Sequence, residues 1–145
     1  MSSGCELCAT EGGLPVLRRG GFRVIRATDA DFPAFYRVVW NAHVTEWTDL
    51  ALPERELCMQ AVAAVETVLR EALRPTKINL ASLGNVVPHL HWHVIARFDW
   101  DSHFPQPVWG SVQRSVDPPA VARLPLGLAA LDARMAEALA ALGPD

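Results

Sequence analysis

Hydrophobic residues recur along the chain with a helical period in two segments. Between residues 53 and 74 apolar side chains return every four positions, at Leu57, Ala61, Val65, Leu69 and Leu73. This spacing predicts an amphipathic helix. Pro53 suits the first turn of that helix, and Pro75 follows its end. A second apolar stripe over residues 126–142 predicts a C-terminal helix.

Short runs of aromatic and β-branched residues predict strands on both sides of the long helix. The predicted strands are residues 22–25, 35–41, 76–83 and 89–98. The segment from residue 105 to residue 125 holds five of the eleven prolines, which predicts an extended, irregular arm. Because strands precede and follow one long helix through short turns, we predict an α+β fold with an antiparallel sheet.

Length and charge narrow the class of protein. The chain has 145 residues, of which 13 are basic and 16 acidic, giving a formal net charge of −3. This length predicts one domain. Since no basic stripe is present, we expect no nucleic-acid partner, although an acidic protein can contain a locally positive pocket. No apolar run approaches about 20 residues, so we expect no membrane partner. The first residues, MSSGCELCAT, lack the features of a signal peptide, so we expect a cytoplasmic protein.

Three of the five histidines alternate along one predicted strand, at His89, His91 and His93. Alternate side chains of a strand share a face, so these imidazoles would be about 6.6 Å apart along one side. A polar strand that faces solvent is the simplest alternative. Strict alternation between strongly apolar neighbours instead favours a use in nucleophilic attack, proton transfer or metal binding.

The segment His89-Leu-His91-Trp-His93-Val-Ile resembles the histidine triad (HIT) motif, in which each of three alternating histidines precedes a hydrophobic residue. The resemblance extends over residues 5–109, and the small bacterial proteins described as diadenosine polyphosphate hydrolase-like are the most similar branch. It implies a HIT-like fold, with about five antiparallel strands, a long central helix and a C-terminal helix. Residues 1–110 would form the HIT domain. Residues 111–145 would add a proline-rich arm and helix that are not an independent domain.

The resemblance also implies a reaction. HIT proteins hydrolyse or transfer nucleotides through a covalent nucleotidyl-histidine, at the α-phosphate of dinucleoside polyphosphates or nucleoside phosphoramidates. His91 would be the nucleophile, which a neutral imidazole can be at pH 7. His93 would contact the phosphate or assist the leaving group. The family further implies a homodimer and no organic cofactor.

Three residues are candidates for substrate binding. Asn79 and Asn85 match positions at which the family places amides near the phosphates, and Asp29 lies in the loop before the second predicted strand. The strand pattern places Asn79 away from its apolar neighbours. Asn85 follows Gly84, so a simple turn residue is an equally good interpretation.

The sequence departs from the family pattern around the expected nucleoside pocket. Phe35 stands where many relatives have histidine, Trp40-Asn41 where they often have Pro-Lys, and Ala96 where proline is common. These differences leave the preferred base and leaving group open.

Cys5 and Cys8 form a Cys-x-x-Cys pair, for which we consider zinc binding, a redox dithiol and two unrelated thiols. A redox pair is expected at a helix start after a strand, and that context is missing. By resemblance, His43 and His89 would complete a closed, structural zinc site with the two cysteines. In the alternative, the cysteines are reduced and empty and His43 contacts only solvent.

Other functional hypotheses use the same residues. One is a nucleotide sensor without turnover, and another is a metalloenzyme with His91, His93 and His103 as zinc ligands. The alternation, the asparagines and the lack of a nearby carboxylate favour the covalent mechanism. Core packing is the expected role of Cys58 and of most tryptophans, with base stacking as the alternative for the latter.

Overall fold

The fold is known from a computed structural model, which describes residues 4–145. The strands are β1 Leu14–Arg18, β2 Phe22–Arg26, β3 Phe35–Trp40, β4 Lys77–Ala81 and β5 His91–Arg97. The helices are α1 Glu6–Ala9, α2 Leu52–Leu73 and α3 Leu128–Ala140, with short 3-10 helices at Trp47–Asp49 and Ala120–Arg123. Within residues 4–145, no helix is both long and apolar enough to cross a membrane.

The five strands form one antiparallel sheet in the order β1-β2-β3-β5-β4. This confirms the predicted α+β fold. Two details differ from the sequence prediction. Strand β1 was not predicted, because it follows a glycine pair, contains Pro15 and has an irregular register; such a strand is tolerated at the sheet edge, where this one lies. Strand β5 begins at His91, so His89 lies just before it.

Helix α2 follows from its local sequence. The Glu54 carboxylate accepts a hydrogen bond from the backbone N–H of Ala51 at 2.7 Å, which satisfies one donor at the helix start. The helix ends where Arg74 adopts a left-handed conformation with φ of 48°, followed by Pro75. Its predicted apolar stripe is buried, which confirms the helix to within one residue at each end.

Both long helices pack against the same face of the sheet. Strand residues such as Tyr36 and Val94 share one core with the apolar stripe of α2 and with Leu131, Met135 and Leu139 of α3. Cys58 is buried in this core, as predicted, and burial raises the pKa of its thiol to about 12.

A polar contact fixes α3 on the sheet. The Asp132 carboxylate accepts hydrogen bonds from Arg26 at 3.0 Å and from the Tyr36 hydroxyl at 2.6 Å. Burial, together with the hydrogen bond to Asp132, raises the pKa of Tyr36. The C-terminal helix is therefore tied to the sheet by polar contacts as well as by its apolar face.

The opposite face of the sheet carries the histidines. His91 and His93 alternate along β5 with Trp92 and Val94, which pack in the core with α2, so the two histidines point away from that helix. This face is covered only in part, by the N-terminal residues, the loop after β4 and the segment around Trp109. The fold thus leaves a recess over β5.

Candidate active site and metal centre

A cavity of about 410 Å³ lies over the histidine face of the sheet. Residues from the N-terminal segment, from β3, from the loop after β4, from β5 and from the arm line it: Glu6, Leu7, Gly12, Arg37, Leu83, Gly84, Asn85, Val86, Val87, His91, His93 and Trp109. Gly84 has φ of +74°, which lets the loop turn back over the cavity. The cavity is large enough for part of a small-molecule ligand.

The ring of His91 is held in one tautomer. Its Nδ1 lies 2.6 Å from the backbone carbonyl oxygen of His89. A carbonyl only accepts, so Nδ1 carries the hydrogen and the neutral ring keeps its lone pair on Nε2. Burial lowers the pKa of His91, and this effect outweighs the opposing bond to the carbonyl. His91 therefore offers an uncharged nucleophilic nitrogen to the cavity at neutral pH.

His93 lies beside His91 with complementary hydrogen-bonding properties. The ring centroids are 4.9 Å apart, and the Arg37 guanidinium donates from Nε to Nδ1 of His93 at 3.4 Å. Since Nδ1 accepts, neutral His93 carries its hydrogen on Nε2. Burial, with the charges of His91 and Arg37, lowers the pKa of His93 to about 4. The rings of Phe35 and Trp109 pack edge-on to it, with centroids 5.5 and 5.1 Å away.

A second cluster lies next to the start of β5. The side chains of Cys5, Cys8, His43 and His89 each place one donor atom within 4.8 Å of the others. Nδ1 of His89 lies 3.4 Å from Sγ of Cys5, 3.6 Å from Sγ of Cys8 and 3.2 Å from Nδ1 of His43. Nδ1 of His43 lies 3.4 Å from Sγ of Cys8.

These distances fit a tetrahedral metal site. With zinc bonds of about 2.0–2.1 Å to nitrogen and 2.3 Å to sulfur, neighbouring donors in a tetrahedron are about 3.3–3.8 Å apart. Nε2 of His89 donates to the carbonyl oxygen of Trp40 at 2.6 Å, which leaves Nδ1 unprotonated and able to bind metal. Four protein donors would leave no open position for water. The four residues predicted from the sequence come together and can hold a metal ion.

A sequence model of the HIT domain matches residues 15–100, which is more than half of the chain. The chain belongs to the HIT domain family. A comparison with curated proteins gave no significant match. This HIT domain also has similar solved structures.

A histidine triad protein from Marinobacter aquaeolei is 26% identical, with a TM-score of 0.74 and 99% of each chain covered. A histidine triad protein from Bradyrhizobium japonicum is 28% identical, with a TM-score of 0.67 and 90% of each chain covered. A zinc-bound histidine triad family protein from Mycobacterium smegmatis is 18% identical, with a TM-score of 0.60 and 94% of each chain covered. At 18% identity, the similarity to the Mycobacterium smegmatis protein shows a shared fold alone.

The residues expected to bind substrate in this HIT protein do not all lie together. Asn85 lines the cavity with His91 and His93. Asn79 shares their face of the sheet but lies outside the cavity lining, and its Oδ1 accepts a hydrogen bond from Arg97 at 2.9 Å. Asp29 is exposed in the loop before β3 and accepts a hydrogen bond from the N–H of Asp31 at 2.9 Å.

Within residues 4–145, no group of donor atoms matches the hypothesis of a catalytic metalloenzyme. Among residues 4–145, the group that can hold a metal is the Cys₂His₂ cluster, which contains neither His91, His93 nor His103. Nδ1 of His103 pairs with the Ser102 hydroxyl at 2.7 Å, away from the cavity. The buried Asp101 carboxylate accepts from Arg97 at 2.8 Å. Burial opposes ionisation of Asp101, but hydrogen bonds from Arg97 and the backbone outweigh it and lower the pKa.

Three residues of the two sites were not recognised from the sequence pattern. Arg37 and Trp109 line the cavity. The pattern predicts only strand formation for Arg37. For Trp109, core packing is the expectation and base stacking the alternative, and the expectation is wrong because this side chain is exposed. Arg23 is only 3% exposed and holds the cysteine segment, donating to the carbonyl oxygens of Leu7 at 2.6 Å and Thr10 at 3.1 Å. An arginine inside the apolar strand β2 is the signal that would have found it, because a buried guanidinium needs polar partners.

Proposed function

We propose that this HIT protein is a nucleotide hydrolase or nucleotidyl transferase. It acts at the α-phosphate of a dinucleoside polyphosphate or a nucleoside phosphoramidate. The observation that carries this proposal is the fixed ring of His91. Its Nδ1 donates to a carbonyl. Its Nε2 makes no hydrogen bond within residues 4–145 and is not shielded from solvent, so this nitrogen is accessible from the cavity.

The proposed reaction has two steps. First, the Nε2 lone pair of His91 forms a bond to the α-phosphorus, and the bond to the bridging oxygen or nitrogen breaks with its electron pair going to the leaving group. His91 keeps its Nδ1 hydrogen on the His89 carbonyl, while Nε2–H of His93 donates to the phosphate or leaving group. A water then attacks phosphorus, the P–N bond breaks, and nucleoside monophosphate and a proton are released. A different acceptor in place of water gives transfer.

Substitution of the nucleophile tests the proposal. We expect wild-type protein to release AMP from diadenosine tetraphosphate or adenosine phosphoramidate, and His91→Asn to lower that rate on the order of 10³-fold. His103→Asn is the matched control, since His103 lies outside the cavity. Rapidly quenched wild-type protein should carry one adenylyl group by intact mass, and His91→Asn none. Equal rates in His91→Asn and wild type would contradict the proposal, as would tight nucleotide binding without product over hours.

We also propose that Cys5, Cys8, His43 and His89 hold a structural zinc ion. The donor distances, the unprotonated Nδ1 of His89 and the zinc-bound relative from Mycobacterium smegmatis support this. Two thiolates and two imidazoles are a donor set that zinc prefers. A zinc ion there would cross-link the N-terminal segment to the residues that follow β3 and to those that precede β5.

The remaining proposals concern assembly. We propose a cytoplasmic homodimer in which residues 1–110 form the HIT domain. The three free thiols suit a reducing compartment. Strand β4 lies at the sheet edge with Leu80 and Leu83 exposed, which supports pairing between copies. Light scattering should give twice the chain mass, and a particle of 15.9 kDa would contradict the dimer.

A further inference from the structure

Arg37 is a cation in the cavity that makes no ion pair with any carboxylate of the described residues. Its side chain is half-buried on β3, directly opposite His93 in the sheet register. Nε donates to His93 and Nη1 donates to the carbonyl oxygen of Gly12 at 3.2 Å. Within residues 4–145 Nη2 makes no hydrogen bond, and none of the ion pairs includes Arg37.

The other arginines inside the sheet are matched by acids. Arg97 pairs with Asp101 at 2.8 Å, and Arg23 lies 3.6 Å from a Glu11 carboxylate oxygen. Burial lowers the pKa of Arg37, and the charges of Glu6 and Asp29 oppose this only in part. Within residues 4–145, neither acid is within ion-pair distance of Arg37. Guanidinium remains charged in proteins, so a bound anion is the group that would balance it.

Arg37 lies next to the place where the leaving group of the proposed reaction would be bound. His93 is the second imidazole of the cavity, with its Nε2–H free to donate, and Arg37 contacts the other side of the same ring. A ligand group that meets His93 therefore lies near the guanidinium. Arginine can bind a phosphate through two parallel donors, and Nη2 is available for such a contact.

We propose that Arg37 binds an anionic leaving group, so that the preferred substrates are phosphoanhydrides with a polyphosphate chain rather than phosphoramidates. This inference rests on the proposed function. When the anhydride P–O bond breaks, the electron pair stays on the bridging oxygen and negative charge grows on the departing phosphate chain. A fixed guanidinium stabilises that charge. A phosphoramidate loses an amine, which instead needs a proton, and guanidinium does not supply one.

Selectivity between two substrates tests the inference. Arg37→Gln removes the contact to His93 for both substrates, but the contact to the leaving group only for the anhydride, so we expect kcat/KM with diadenosine tetraphosphate to fall about 10- to 100-fold further than kcat/KM with adenosine phosphoramidate. Arg37→Lys keeps the charge and should lose less selectivity. Arg134→Gln is the matched control, because Arg134 is exposed on α3 behind the other face of the sheet. Equal losses with both substrates, or no loss with either, would overturn the inference.

A binding measurement separates this inference from the proposed function. In the His91→Asn background, calorimetric titration should show tighter binding of ATP than of AMP, and adding Arg37→Gln should reduce that preference about 10-fold or more. If wild type turns over neither substrate but the titrations show this preference for ATP, the proposed reaction is refuted and Arg37 remains a polyphosphate-binding residue. Turnover of both substrates with unchanged selectivity in Arg37→Gln would refute only the role of Arg37.

Discussion

The backbone carbonyl of His89 accepts the Nδ1 hydrogen of His91 at 2.6 Å, while the imidazole of His89 belongs to the Cys₂His₂ cluster. One residue therefore takes part in both sites. Its Nε2 is fixed by the carbonyl of Trp40, its Nδ1 faces the thiols, and its own carbonyl sets the tautomer of His91, the proposed nucleophile. The Cys₂His₂ cluster and the proposed nucleophile are therefore connected through this short piece of backbone.

The two cavity imidazoles should hold opposite tautomers. We expect nitrogen NMR at pH 7 to show His91 with its hydrogen on Nδ1, because that atom donates to a carbonyl, and His93 with its hydrogen on Nε2, because its Nδ1 accepts from Arg37. The spectrum of His91→Asn assigns the signals. Finding His91 with its hydrogen on Nε2 would remove the attacking lone pair and contradict the geometry on which the mechanism depends.

Loss of the thiols should release zinc and loosen the fold. We expect wild-type protein, purified without chelators, to contain one zinc per chain, and the Cys5→Ser/Cys8→Ser variant to contain almost none. Its melting temperature should fall by about 5–10 °C, since a tightly bound ligand contributes a few kcal/mol to the folded state. Elemental analysis and thermal unfolding measure both effects.

The third cysteine supplies the control for the zinc experiment. Cys58→Ala changes a buried thiol outside the cluster, so it should keep a full equivalent of zinc. A wild-type protein with far less than one zinc per chain would contradict the proposed metal site. Equal zinc contents in wild type and the double variant would do the same.

Replacement of Arg23 should damage the metal centre from a distance. Arg23→Leu leaves the backbone carbonyls of Leu7 and Thr10 without their donor, which should cost about 2–4 kcal/mol in unfolding free energy. The variant should also lose zinc faster to a chelator. Arg18→Ala, which removes an exposed ion pair with Glu11, should change stability by about 0.5 kcal/mol or less. Similar urea midpoints for the two variants would contradict the anchoring role.

Acid should destabilise the protein partly through His93. Its pKa is lowered from 6.5 to about 4 in the fold, so below pH 6.5 the unfolded chain binds a proton that the folded chain does not. The unfolding free energy should therefore fall between pH 6.5 and pH 4, by about 3 kcal/mol from this group. Urea unfolding across that range should show a smaller fall in His93→Gln than in wild type. An identical pH dependence in the two proteins would contradict the depressed pKa.

Much of both sites could be predicted because their signals are local. The alternation around His91 and the spacing of Cys5 and Cys8 are visible in short segments, and a strand fixes which side chains share a face. The part contributed by Arg37, Arg23 and Trp109 was not visible. Each acts through contacts with residues distant in sequence. The apolar neighbours of Arg23 in β2 mark it as a buried arginine, but they do not show which carbonyls it binds.

The same distinction between local signals and long-range contacts explains which helices and strands could be predicted. Helix α2 has its periodic stripe, its proline start and its end signal within one segment, so its bounds are nearly correct. Strand β1 depends on pairing with β2 and lacks a clear pattern of its own. His89 was assigned to the strand by alternation, but its backbone N–H bonds to the carbonyl of Val87 instead of a neighbouring strand.

The docking of α3 affects how this protein can be shortened. The HIT match ends at residue 100, whereas Leu131, Met135 and Leu139 fill the core much further along the chain. A fragment truncated at that match would expose the apolar side of α2 to water and deprive Arg26 of the Asp132 anion. The family match and the part of the chain that the core needs thus end at different residues, and a shortened gene has to keep the residues that the core needs.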